Sequence, residues 1–249
     1  MRNKKIKIVT TSWDDGHKLD LKLAKLLRKY NIKGTFYIAP NNRGLNKKDF
    51  LSNNEIKQLS QDFEIGAHTM THASLTKISE REALQEIRDS KNFLEKLIEK
   101  QVKMFCYPRG LYNIKIKNLL KKVDFIGART IKRSIVSFPV DFFEFGTTVQ
   151  VFTNRINISK DLPIKINLAI LPTLFTKDWL RIAKKIFDHV SQNEGIWHLW
   201  GHSWEVEKND FWEELEETLS YISEKEDFHY FSNGETLEYI KEKYLKDKT

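Results

Sequence analysis

The chain has 249 residues, with 42 Lys and Arg against 34 Asp and Glu, a formal net charge of +8. Its 40% hydrophobic content, ten glycines and five prolines exclude collagenous, low-complexity and disordered chains. The single cysteine, Cys106, excludes an internal disulfide framework. No apolar run reaches the ~18 residues of a membrane span. The basic start MRNKKIKIVTTSWDDG has no apolar stretch behind it, so no secretory signal is expected and the expected compartment is the cytoplasm. The lysines are scattered and often sit beside glutamates, as in KEKYLKDK, which reads as a solvated surface rather than a nucleic-acid stripe.

In chain order, strands and helices alternate. KIKIVTTSW (5–13) reads as a strand, and Leu19, Leu23, Leu26, Leu27 and Tyr30 then recur at helical spacing. GTFYIAP (34–40) is a strand. Ser52 with Glu55 is a capping-box signal for a helix carrying Ile56 and Leu59. FEIGA (63–67) is a strand, and Ser79 with Glu82 caps a long helix with Ala83, Ile87, Leu94 and Ile98 on one face. VKMFCY (102–107) is a strand, Asn113 caps a helix with Ile116, Leu119 and Leu120, and DFIGART (124–130) is a strand. Residues 131–175, with Pro163 and Pro172, lack a clean period and read as an elaborated loop with short strands that shapes the rim. A helix with Trp179, Ala183, Ile186 and Val190 follows, then the strand GIWHLWGH (195–202), a helix with Phe211, Leu215, Leu219 and Ile222, the short strand HYF (229–231), and a last helix with Leu237, Ile240 and Tyr244. This alternation predicts one α/β domain over 1–249, with a parallel sheet and outer helices, as a barrel or a doubly wound sheet. No GxGxxG follows the first strand, which removes support for a dinucleotide fold.

Polar residues of catalytic type gather at the C-terminal ends of these strands. Asp14 and Asp15 end the first, His68 and His72 follow FEIGA, Pro108-Arg109-Gly110 ends VKMFCY, and His202 ends GIWHLWGH. In a parallel barrel those ends share one rim, where active sites are built. The four-residue spacing of His68 and His72 suits two imidazoles on one helical turn, and Asp14 or Asp15 completes a two-His, one-carboxylate metal set. The other aspartate is then free to act as general base. His198 and His202 share a strand face, and either is a candidate general acid. Cys106 reads as a small buried hydrophobe, and His17, His189 and His229 as ordinary histidines.

These motifs together resemble the polysaccharide deacetylases of the NodB-homology group, carbohydrate esterase family 4. TSWDDG (11–16), KGTFYIAP (33–40), EIGAHTMTHASL (64–75), FCYPRGLYN (105–113) and HLWGHSWE (198–205) carry the resemblance. It implies a single distorted (β/α)7 barrel and metal-dependent hydrolysis of an N-acetyl group from a sugar or glycan precursor. It implies Asp14 as general base, and Asp15, His68 and His72 as ligands of zinc, with cobalt, nickel and manganese as alternatives. His202 would be the general acid, the backbone N–H of Arg109 an oxyanion donor, and Trp200 a wall of the acyl pocket. The family often has an arginine at the position of Cys106, steadying the catalytic aspartate; the guanidinium of Arg109 is the expected substitute here. Asp178-Trp179 is a weak match to the family's Asp-Trp motif. Two alternatives stay open: hydrolysis of a non-sugar amide or cyclic ureide on the same barrel, and a catalytically idle barrel that grips glycan. The expected partner is an N-acetylated carbohydrate, with no nucleic acid and no membrane span; no seam for a protein partner is legible.

Overall fold

The structure, a computed structural model, describes residues 5–152 and 179–245, with side chains in the last helix up to residue 243. Among these, β1 (Lys7–Asp15), β2 (Thr35–Ile38), β3 (Glu64–Ala67), β4 (Met104–Cys106), β5 (Gly127–Arg129), β6 (Val149–Gln150), β7 (Gly195–Gly201) and β8 (His229–Tyr230) form one sheet. The helices are α1 (Asp20–Lys29), α2 (Asn53–Asp62), α3 (Glu80–Ile98), α4 (Ile114–Lys122), α5 (Trp179–Gln192), α6 (Ser203–Lys208), α7 (Trp212–Ile222) and α8 (Asn233–Leu245). Along the sheet the order is β5-β4-β3-β2-β1-β7-β6, with β8 on β1 and every ladder parallel.

The ring closes through the segment before β6. Phe145 bridges Arg129 in parallel, with Thr130 N–H donating to the Phe145 carbonyl at 2.8 Å. A few residues on, Thr148 N–H donates to the His198 carbonyl at 2.9 Å. One stretch of chain thus joins the β5 edge to the β7 edge, giving the expected (β/α)7 barrel.

The local signals act as read. Ser52 with Glu55 and Ser79 with Glu82 both form complete capping boxes, and the Asn113 side chain accepts from Ile116 N–H. The short helix α6 has no counterpart in the sequence reading. In residues 131–152 the structure has a 3₁₀ turn (Phe142–Glu144) and β6. Residues 153–175 of the expected loop, with Pro163 and Pro172, lie outside the described residues, as do Asp178 of the Asp-Trp match and the side chain of Tyr244.

Strand alternation sorts the core into two layers. The larger cluster, including Val9, Trp13, Phe36, Phe105 and Trp197, packs between the strands and the helices. A smaller inner cluster of Ile8, Tyr37, Met104, Cys106, Phe145 and Ile196 fills the barrel, and Leu237 and Ile240 of α8 join it as a plug. Gly66 gives Tyr37 its space: a Cβ there would lie 2.4 Å from the Tyr37 ring. The inward positions of β1, β4, β5 and β7 place Asp14, Cys106, Arg129, His198 and Trp200 in the barrel, with the strand ends opening on one rim.

A candidate metal and acid–base centre at the barrel rim

Asp14 ends the inward-facing row of β1 and is 3% exposed. Arg129 Nη2 donates to its Oδ1, and this guanidinium is wholly buried. Arg129 reaches Asp14 from β5, the next strand after the segment that carries Arg109, and stands in register with Cys106. Arg109 does not substitute for the missing motif arginine. Its Nη1 donates instead to the His72 carbonyl at 3.1 Å and the Ser74 hydroxyl at 2.9 Å, on the exposed outer side of the rim. Sequence reasoning missed Arg129; the available signal was a cation at the end of the apolar strand DFIGART, which cannot be buried without an anion. Burial opposes ionisation of Asp14, but the charges of Arg129 and His202 outweigh it and hold the carboxyl down at about 2.

Asp15 follows with φ 84°, a left-handed conformation that interrupts the strand alternation. Its carboxylate accepts from Asn42 Nδ2 at 3.1 Å and from Trp204 Nε1 at 3.0 Å. Its Oδ1 stands 3.9 Å from His68 Nε2 and 3.6 Å from His72 Nε2. The two imidazoles meet with centroids 4.7 Å apart, but not on the expected helical turn. The segment is irregular, with Thr69 and His72 both at φ 61°. Thr71 is held by Glu86 of α3, Ala73 N–H donates to the Thr69 hydroxyl, and Arg109 grips the His72 carbonyl. With Asp15 and Arg109 (φ 58°), the site gathers four non-glycine residues in left-handed backbone, the kind of strain that surrounding structure must hold in place.

Asp15, His68 and His72 offer ligand atoms that all lie within 4.8 Å of one another, and so do Asp14, His68 and Cys106. Chemistry separates the two sets. Burial pushes the Cys106 thiol well up, so it stays protonated, and Asp14 is committed to Arg129. Burial lowers both His68 and His72, leaving neutral imidazoles. His68 Nδ1 lies 2.8 Å from the Cys106 carbonyl. A carbonyl only accepts, so Nδ1 carries the proton and Nε2 turns a lone pair toward Asp15. That outer hydrogen bond is the usual support of a metal-binding imidazole. Two neutral imidazoles and one carboxylate therefore fit a divalent metal with open positions, zinc among them.

His202 follows β7 and is the only one of the two strand-end histidines on the rim. Its Nε2 is 4.0 Å from Asp14 Oδ2 and 3.9 Å from Asp15 Oδ2. Burial opposes its charge, but the Glu205 carboxylate, 2.7 Å from Nδ1, together with Asp14 and Asp15, lifts it to about 9. His198 lies deeper and fully buried, bonded to Ser12 Oγ at 2.8 Å and the Gly146 carbonyl at 3.0 Å. Burial and Arg129 hold it down at about 3, neutral and structural. Trp200 packs beside both groups, its ring 4.7 Å from the Arg129 guanidinium carbon and edge-on to His202 at 5.8 Å.

Arg129→Met leaves a buried carboxylate without its cation. We expect a loss of about 3–5 kcal/mol at neutral pH in a denaturant titration; a variant as stable as the wild type would contradict the pairing. The metal-free protein also gains stability from charged His202. That gain is complete below the ordinary value of 6.5 and is lost as pH rises through about 9. Glu205→Gln should move this alkaline loss to lower pH in unfolding curves; an unchanged profile would sink the role given to Glu205.

The polysaccharide deacetylase family model matches residues 1–127. The peptidoglycan-N-acetylmuramic acid deacetylase PdaC of Bacillus subtilis (strain 168) is 25% identical over 117 residues, 46% of this chain. The chain spans only 24% of that protein's length. Among solved structures, a Mycobacterium smegmatis protein assigned to the polysaccharide deacetylases superposes with a TM-score of 0.69 over 97% of this chain and 92% of its own, at 12% identity. A pseudoenzyme of carbohydrate esterase family 4 from Bacillus anthracis, BA3943, gives a TM-score of 0.53 over 89% of this chain and 62% of its own, at 14% identity. At such identities these structures share the fold alone. The family model covers just over half of the chain and includes both the Asp14–Asp15 and His68–His72 segments: the chain belongs to the polysaccharide deacetylase family.

Proposed function

We propose that this protein hydrolyses the N-acetyl group of an acetylated sugar or glycan, releasing acetate and a free amine. The observation that carries this reading is an acid and a base held in opposite states across one mouth. Asp14 is kept ionised by Arg129, and His202 is kept protonated by Glu205, with their facing atoms 4.0 Å apart. Titratable groups whose surroundings drive them apart divide the acid and base roles between them.

Asp15, His68 and His72 would hold the metal, most simply zinc. When bound, the metal supplies Lewis-acid chemistry: it polarises the acyl carbonyl and makes water acidic enough to react near neutral pH. Asp14 then takes a proton from the attacking water as the new C–O bond forms. The Arg109 backbone N–H is assigned to the acyl oxygen as negative charge develops there. His202 delivers its proton to the leaving nitrogen as the C–N bond breaks, and Glu205 keeps the imidazole turned toward the mouth. Trp200, 4% exposed, is assigned to the wall against the acyl methyl.

Asp14→Asn should leave metal content unchanged and cut acetate release from N-acetylglucosamine oligomers by about 10²–10⁴-fold. Turnover within a few fold of wild type would remove Asp14 from the role of base. Cyclic ureides in the same assay test the alternative substrate class; turnover of these without acetate release from any acetylated sugar would replace the reading.

A further inference from the structure

Asp15 is held on both of its oxygens by groups that have no part in the proton transfers. Asn42 follows β2 and is 2% exposed; its Nδ2 donates to Asp15 Oδ1 at 3.1 Å. Trp204 lies in α6, just after His202, and its Nε1 donates to Asp15 Oδ2 at 3.0 Å. Each donor is itself fixed. Asn42 Oδ1 accepts from Gly44 N–H at 2.8 Å, and the backbone beside it is zipped to the histidine segment, with Asn41 N–H donating to the Met70 carbonyl at 2.8 Å. The Trp204 ring leans on the His202 imidazole, with centroids 5.3 Å apart.

These contacts divide the carboxylate. The left-handed backbone at Asp15 (φ 84°) breaks the strand alternation, so the two donors rather than the strand set the orientation of the group. A carboxylate oxygen offers about two lone pairs. Oδ1 faces both imidazoles, 3.9 Å from His68 Nε2 and 3.6 Å from His72 Nε2. Asn42 takes one of its lone pairs and leaves one for a metal shared with the histidines. Oδ2 stands 3.9 Å from His202 Nε2, beyond hydrogen-bond reach, and its donor is the indole. Turning Oδ2 onto a metal would strand the N–H of a half-buried tryptophan.

Resting on the functional reading above, we infer that Asn42 and Trp204 are positioning residues that make Asp15 a one-oxygen ligand: Oδ1 is offered to the metal and Oδ2 is withheld by the indole. Two imidazole nitrogens and one carboxylate oxygen then leave positions open for water and substrate. Because Trp204 also packs on His202, one side chain sets the ligand against the acid.

The test compares wild type, Trp204→Phe and Asn42→Ala in the full chain, with zinc affinity measured by competition with a chromophoric chelator. Phe keeps a ring against His202 and removes the N–H. Each variant should bind zinc about 10- to 100-fold more weakly. Wild-type affinity in either variant would remove that residue from the role. Hydrogen exchange of the Trp204 indole in the wild type, followed by NMR, reads the other half of the inference. Zinc should shift this resonance and leave its exchange as slow as in the metal-free protein, since Oδ2 keeps its donor. An indole that exchanges faster once zinc is bound would show Oδ2 turning to the metal and would overturn the one-oxygen assignment. A wild type that takes up no zinc overturns the inference together with the metal site. One that binds zinc but releases no acetate from any acetylated sugar counts against the functional reading alone, and the affinities and the exchange still decide the roles of Asn42 and Trp204.

Discussion

The ion pair between Asp14 and Arg129 is the constraint on which the rim depends. It puts an anion and a cation inside a barrel otherwise filled by Ile8, Tyr37, Met104, Phe145 and Ile196. Neither charge is tolerable there alone. Arg129 also stacks its guanidinium within 4.7 Å of Trp200 and 5.3 Å of Tyr37, so the cation is fixed by two aromatic faces as well as by its carboxylate. Because β5 must hold Arg129 at that depth, the stretch from Phe145 to β6 that completes the ring beside β5 is part of the same arrangement.

From this fixed point the remaining groups divide by charge state. Asp14, tied to Arg129, keeps its negative charge. The buried His68 and the half-buried His72 stay neutral, and His68 turns its lone pair toward Asp15. His202 keeps a positive charge through Glu205. A barrel mouth of a few ångströms therefore contains two neutral imidazoles, two carboxylates and a cation, their charge states set by burial and neighbours rather than by residue type alone.

Much of this was legible in the sequence, and the exceptions share a cause. The strands, the two capping boxes and the gathering of Asp14, Asp15, His68, His72 and His202 on one rim follow from short-range signals and from the handed, parallel character of the alternation. Arg129 was not legible, because nothing within a few residues of it says which anion it meets; its partner is 115 positions away in the chain. The Arg109 expectation failed for the same reason, since its guanidinium finds the nearer His72 carbonyl and Ser74. The helical turn expected of HTMTH fails because residues 69 and 72 adopt left-handed backbone, held by Glu86 and Arg109 from other elements. Helix α6 spans six residues, too few for its periodicity to register.

The measurement that bears most directly on this account is metal content, by elemental mass spectrometry of the untagged chain beside a His68→Ala/His72→Ala double variant. The account predicts about one zinc or similar divalent ion per wild-type chain and its loss from the variant. No metal in either protein after incubation with zinc and cobalt, or equal metal in both, would contradict it.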